Sequence, residues 1–294
     1  MKITKLLFLV SVISLNAVIA QEHDVSNDPQ TIESANLVLP RIQVIPIKDT
    51  KADRQYELYI KLPEGYSEAN DIQYPVLYST DGMWHIELLS AATEYLIEDI
   101  ILVGISWQKD INEDLLNEKG AHGSRFRDYS IRKSSNPEHQ AKYQIGQASN
   151  HLAFIRNDVI KYMENKYRTD PNNRTYFGYS MGGKFGAYIL LAQRDAFKNY
   201  ILGSPSLKGD ISYLSELGSI GESNRNGLNV NVFISYGALE NELGGHAKEF
   251  VALLKDRNDE SLALEHVVVA GDHQAAFPIT GVRSVTWLSD LIKE

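Results

Sequence analysis

Residues 175–191 read TYFGYSMGGKFGAYILL, and the fold is decided there. TYFGY is aromatic and β-branched, the composition of a short strand covered on both faces. From Met181 onward small and apolar residues follow at helical spacing, so the chain turns from strand to helix at Ser180. Gly178, Ser180 and Gly182 fit the pattern G-x-S-x-G, a serine held on a sharp strand-to-helix turn. The glycines have a steric task, because a hydroxyl lifted above a sheet leaves no room for neighbouring Cβ atoms. The helix that follows supplies free amides and the positive end of its dipole.

Outward from this turn the same alternation repeats. Strands are expected at 42–47, 56–62, 75–80, 100–107, 174–179, 199–204, 230–236 and 264–269, and helices at 86–98, 148–167, 181–193, 244–256 and 280–292. Strand, helix, strand in succession requires a mostly parallel sheet with helices on both faces, here with an antiparallel N-terminal start. Residues 108–147 break the rhythm. They form a polar insertion with Gly120, Gly123 and Pro137, read either as solvated surface or as a lid facing the substrate.

The 294 residues are 43% apolar and 23% charged, enough for one sizeable core, and residues 40–294 are read as a single α/β domain. A net charge of −9 argues against neutralising phosphates along a nucleic acid. With no cysteine, the chain has no disulfide, thiol nucleophile or thiolate metal site. Residues 1–20, MKITKLLFLVSVISLNAVIA, join Lys2 and Lys5 to a short apolar run and small residues, the pattern of a cleaved signal peptide. An exported protein, periplasmic or secreted, is therefore expected, with no stable membrane span after signal removal. Residues 21–39 are polar and aperiodic, a poorly ordered arm.

A serine hydroxyl is a weak nucleophile until a base takes its proton and a carboxylate orients that base. On a sheet of this kind the order is serine, acid, histidine. His273, in AGDHQAAF after the last strand, lies on the loop leading to the final helix and satisfies both order and place. The acid should follow the strand at 230–236. Glu240 is the first carboxylate there, with Glu242 and Asp210 as alternatives, while Asp272 is too near His273 in sequence. Two backbone amides should receive the oxyanion, that of Met181 after the nucleophile and that of Met83 in STDGMW, with Gly82 as fallback. Trp84 and Tyr179 flank the site and line an acyl or aryl pocket unless they are core aromatics. In RFRDYS, Arg125 and Arg127 could pair with a carboxylate or phenolate of the substrate, with Asp128, or with solvent alone. This chemistry requires no metal or organic cofactor.

YSTDGMW, ILVGISW, RFRDYS, residues 154–191, GSPSL, FISYGALE and VAGDH together resemble the Putative esterase family of α/β-hydrolases. That family includes enterochelin and other siderophore esterases, feruloyl and acetyl carbohydrate esterases, S-formylglutathione hydrolases and mycolyltransferases. The resemblance spans residues 40–292, and R-x-R-D-Y with S-P-S-L points toward the siderophore-esterase relatives. It implies an α/β-hydrolase fold and hydrolysis of a small-molecule ester by Ser180, His273 and Glu240, with Met83 and Met181 as oxyanion hole. Some siderophore esterases of the family resemble a Ser–His dyad, and here Lys208, Gly209 and Asp210 stand where relatives often carry aromatic residues. Acyl transfer by the same residues, and a secreted binding protein without turnover, are the rival readings.

Overall fold

The computed structural model describes residues 41–69, 71–222 and 227–293, with side chains 220–222 not described. The signal peptide expected at 1–20 and the arm expected at 21–39 lie outside the described residues. Strands β1 (Ile42–Asp49) and β2 (Arg54–Lys61) form an antiparallel hairpin, with Ile47 opposite Tyr56. Then come β3 (Tyr74–Ser79), α1 (Gly82–Leu96) and β4 (Ile101–Ile105). Residues 108–147 hold three short helices, α2 (Glu113–Lys119), α3 (Arg125–Asp128) and α4 (Pro137–Tyr143). The helix expected at 148–167 is α5 (Ala148–Phe154) and α6 (Lys161–Lys166) joined by a π-helical segment, Ile155–Ile160. The remainder is β5 (Thr169–Tyr179), α7 (Met181–Ala192), β6 (Asn199–Gly203), α8 (Ile211–Glu222), β7 (Val230–Gly237), α9 (Asn241–Asp256), β8 (Leu262–Val269) and α10 (His273–Lys293).

The eight strands lie in the order β1-β2-β4-β3-β5-β6-β7-β8. Pairs β1/β2 and β2/β4 are antiparallel and every other pair is parallel, so the mostly parallel sheet with an antiparallel start is present. Alternation along each strand sends neighbouring side chains to opposite faces. Val76 and Tyr78 enter one core with Phe185 of α7 and Phe250 of α9. Leu77 and Phe177 enter the other with Leu89 of α1 and Leu288 of α10.

From β3 the chain crosses to β4 on one side and later returns to β5 on the other. Strand order therefore reverses around β3, and the carboxyl ends of β3 and β5 form the crevice where open α/β sheets bind ligands.

Helices α8 and α10 differ most from expectation, while α1 and β5 begin four and five residues earlier than expected. Helix α8 is not among the expected helices, although Ile211, Leu214 and Leu217 recur at helical spacing and face the core. Helix α10 begins at His273 rather than near 280, because Pro278 lies inside it instead of marking a stop. Asp272 makes that early start possible: its Oδ1 accepts from the amides of Gln274 and Ala275 at 3.1 and 3.0 Å, an N-cap for the first turn. His273 thus stands on a helix end, not on a loop. Among the described residues no helix is long and apolar enough to cross a membrane.

Candidate active site

Ser180 joins β5 to α7 with φ 58° and ψ −115°, a left-handed strain uncommon outside glycine. Its neighbours show why the turn needs glycines. A Cβ on Gly178 would lie 2.3 Å from the Gly182 carbonyl oxygen, and one on Gly182 would lie 2.7 Å from Thr80 Oγ1. The strain is held from several sides: the Ser180 amide donates to Gly203 O at 2.9 Å and its carbonyl accepts from the Ser206 amide at 3.1 Å. Tyr176, beneath the turn, donates its hydroxyl proton to Gly182 O at 2.7 Å. Ser180 Oγ itself lies 3.2 Å from Ser206 Oγ.

His273 and Glu240 meet above the ends of β7 and β8. His273 Nδ1 lies 2.5 Å from Glu240 Oε1. Glu240 Oε2 is engaged as well, accepting from the Gly237 amide at 2.5 Å and from Ser204 Oγ at 2.7 Å. The carboxylate is buried and has no freedom to turn away. The alternatives are occupied elsewhere: Glu242 pairs with Lys208 at 2.8 Å, and Asp210 pairs with Arg132 at 2.8 Å. Tyr179 packs its ring on His273, centroids 5.1 Å apart, and donates its hydroxyl proton to His273 O at 2.7 Å. It is buried, and burial pushes its phenol well above the usual range.

The amides of Gly82 and Met83 open α1 and that of Met181 opens α7, positions where a helix offers no internal acceptor. The two helices start at adjoining strand ends, because Thr80 N donates to Phe177 O at 3.2 Å across β3 and β5. Asp81, the N-cap of α1, is left-handed at φ 54° and ψ 40° and fully buried. Its carboxylate accepts from Trp107 Nε1 at 2.6 Å and from Arg125 at 2.9 and 2.8 Å, and Asp81 N donates to the Tyr129 hydroxyl at 3.3 Å.

A cavity of about 470 Å³ joins these parts, and Ser180, His273, Tyr179, Trp84 and Arg125 all line it. Trp84 is 49% exposed, so it is a pocket wall and not a core aromatic. The Arg125 guanidinium lies over the Trp84 ring, 4.9 Å from its centroid. Arg127 is not brought to this pocket. It is buried, its guanidinium pairs with Asp128 at 2.7 and 3.0 Å and reaches the Tyr56 hydroxyl at 3.4 Å, and it does not line the pocket. Among the described residues, no group of three or more His, Asp or Glu side chains is arranged to hold a metal ion.

Sequence reasoning missed four contributors. Phe277 lines the pocket one helical turn after His273, and a helix started at the Asp272 cap would have shown the pair on one face. Gln274 lines it beside them. Asp81, read only as part of the turn, is an anchor whose carboxylate makes no capping bond to α1 and binds Trp107 and Arg125 instead, which no local pattern shows. His85 lines the pocket from α1, with no sequence signal beyond lying on the inner face of that helix.

A parallel sheet with a strained serine at its reversal point and a histidine–carboxylate pair beside it defines an α/β-hydrolase. The sequence profile described as Putative esterase matches residues 50–243, and the chain belongs to that family, placing it among the carboxylic ester hydrolases. It is similar to ferri-bacillibactin esterase BesA of Bacillus subtilis (strain 168), 22% identical over 267 residues that cover 84% of this chain and 89% of that protein. In structure it is similar to the BES protein of Bacillus cereus, with a TM-score of 0.72, 23% identity, and coverage of 88% of this chain and 98% of that one. An IroE-like serine hydrolase of Shewanella oneidensis gives a TM-score of 0.68 at 20% identity, covering 86% and 80%.

Proposed function

We propose that the protein cleaves its ester by way of an acyl-enzyme on Ser180. The carrying observation is the 2.5 Å contact of His273 Nδ1 with Glu240 Oε1, beside a pocket that Ser180 and His273 share. Glu240 accepts two further hydrogen bonds, so it can take only the Nδ1 proton of the imidazole and leaves Nε2 as the base. As the substrate carbonyl arrives, the Ser180 hydroxyl exchanges Ser206 for His273 Nε2. Oγ then attacks the carbonyl carbon while Nε2 takes the proton, and the new oxyanion is received by the amides of Met83 and Met181. Collapse breaks the ester C–O bond, and the leaving alkoxide takes the proton from Nε2. Water, deprotonated by the same nitrogen, then releases the acid and regenerates Ser180.

The substrate class that fits best is a siderophore ester. The similarity to a protein named ferri-bacillibactin esterase supports it, as does a pocket with aromatic walls at Trp84, Tyr179 and Phe277 and a guanidinium at Arg125. The signal-peptide pattern of residues 1–20 supports action in the periplasm or outside the cell.

The test is a panel of siderophore esters, feruloyl and acetyl sugars and short acyl p-nitrophenyl esters, with Ser180→Ala as the blank. Turnover concentrated in the siderophore esters, labelling of Ser180 by a fluorophosphonate, and loss of both in the variant are expected. Full turnover by Ser180→Ala would end the nucleophile assignment.

A further inference from the structure

We infer that His85 is a specificity residue of the ester pocket, presenting Nε2 as a fixed hydrogen-bond acceptor to a hydroxyl or amide N–H carried by the substrate. The inference rests on the ester-hydrolase reading and adds to it a chemical requirement on the substrate.

The argument begins with the single proton of Ser79. Ser79 Oγ donates to Thr80 O at 2.8 Å, and the same oxygen lies 3.1 Å from His85 Nδ1. With its proton committed, Oγ can meet the imidazole only as an acceptor, so Nδ1 carries the hydrogen. Burial drives the His85 pKa down to about 4, so the ring is neutral and has one N–H. Nε2 is consequently a bare lone pair.

The ring cannot turn to change this. It is stacked on Phe277 with centroids 4.8 Å apart and meets the edge of Phe177 at 5.5 Å. Among the described residues no donor meets Nε2, while the ring lines the same cavity as Ser180 and His273. A substrate that fills the pocket excludes water from this acceptor, so an analogue lacking the donor leaves it unmatched, which is how a site rejects such an analogue. Arg125, on the same cavity, gives Nε and Nη2 to Asp81 and presents only donors, whereas His85 presents an acceptor.

The experiment uses two pairs of synthetic esters. One pair differs on the acyl side, a hydroxybenzoate against its methoxy analogue; the other carries the same difference on the alcohol side. The readout is the ratio of kcat/KM within each pair, so a general loss of active enzyme cancels. Wild type is expected to prefer the donor in at least one pair by about tenfold or more. His85→Phe keeps the stacking without the acceptor, and His85→Asn keeps a donor toward Ser79 without an atom at Nε2; both should bring that ratio to near unity. No preference in wild type, or a preference kept in both variants, overturns the inference. Fluorophosphonate labelling of wild-type Ser180 separates that result from failure of the hydrolase reading, which would abolish labelling as well.

Discussion

Arg125 reaches from the polar stretch after β4 to clasp Asp81 with Nε at 2.9 Å and Nη2 at 2.8 Å, and Asp81 is the residue on which α1 begins. Both side chains are almost wholly withdrawn from water. A buried pair of this kind contributes little net stability over an apolar substitute, yet removing one partner strands the other. The ion pair therefore holds a left-handed Asp81, and with it the Met83 amide, in a conformation the backbone would otherwise leave.

Arg125→Met should accordingly lower the unfolding free energy by about 3 kcal/mol. Urea denaturation measures this. Since the Met83 amide loses its anchor, kcat should fall at least tenfold while KM changes less, and Arg125→Lys should recover only part of the loss because it cannot make both contacts.

Glu240→Gln should lower kcat by about a thousandfold with KM within a few-fold. Gly237 N can only donate, so the glutamine must turn its carbonyl there and its NH2 toward His273. Nδ1 then has to accept, the proton moves to Nε2, and the base is lost. Steady-state kinetics at neutral pH, with unchanged thermal stability, is the check.

Gly178→Ala should fail as a structure before it fails as a catalyst. The added methyl falls 2.3 Å from the Gly182 carbonyl, a backbone atom that cannot step aside without opening the turn. A loss of more than about 3 kcal/mol and no labelling of Ser180 by a fluorophosphonate are expected.

Acid should destabilise the fold in a defined window. The pKa of His85 is about 4 in the folded chain against 6.5 as its ordinary value, because burial disfavours its charged form. Between these values the unfolded chain binds the proton and the native one does not, so stability is complete above about pH 6.5 and falls as pH drops toward 4. The contribution is about 3 kcal/mol, and buried His151, also shifted down, acts in the same direction. Urea midpoints measured from pH 7 to 4 should decline less steeply in His85→Phe than in wild type.

How far the sequence reaches is plain from particular residues. The strand-to-helix turn at Ser180 was legible because its glycines are demanded by contacts within a few residues. The strands were legible because burial on both faces writes continuous apolar runs, as in ILVGI of β4. Helix α8 and the early start of α10 were not read: the first has apolar residues Ile211, Leu214 and Leu217 at helical spacing that went unused, and in the second Pro278 conceals a cap set by Asp272. Arg127 had two readings because a local carboxylate, Asp128, and a distant pocket compete for one guanidinium, and only three-dimensional placement separates them. His85 and Asp81 act through partners in β3, α3 and α10, which no local pattern connects.

The packing of Trp84 edge-on to Trp107, ring centroids 4.7 Å apart, has a practical outcome. The chain holds three tryptophans, and the third, Trp287, is set against Phe233 on the α10 side of the sheet. Intrinsic emission is therefore weighted toward the pocket mouth. A ligand that displaces water from Trp84 reports its own arrival optically, without a dye or a turnover event, and titrations on Ser180→Ala can measure affinity separately from chemistry.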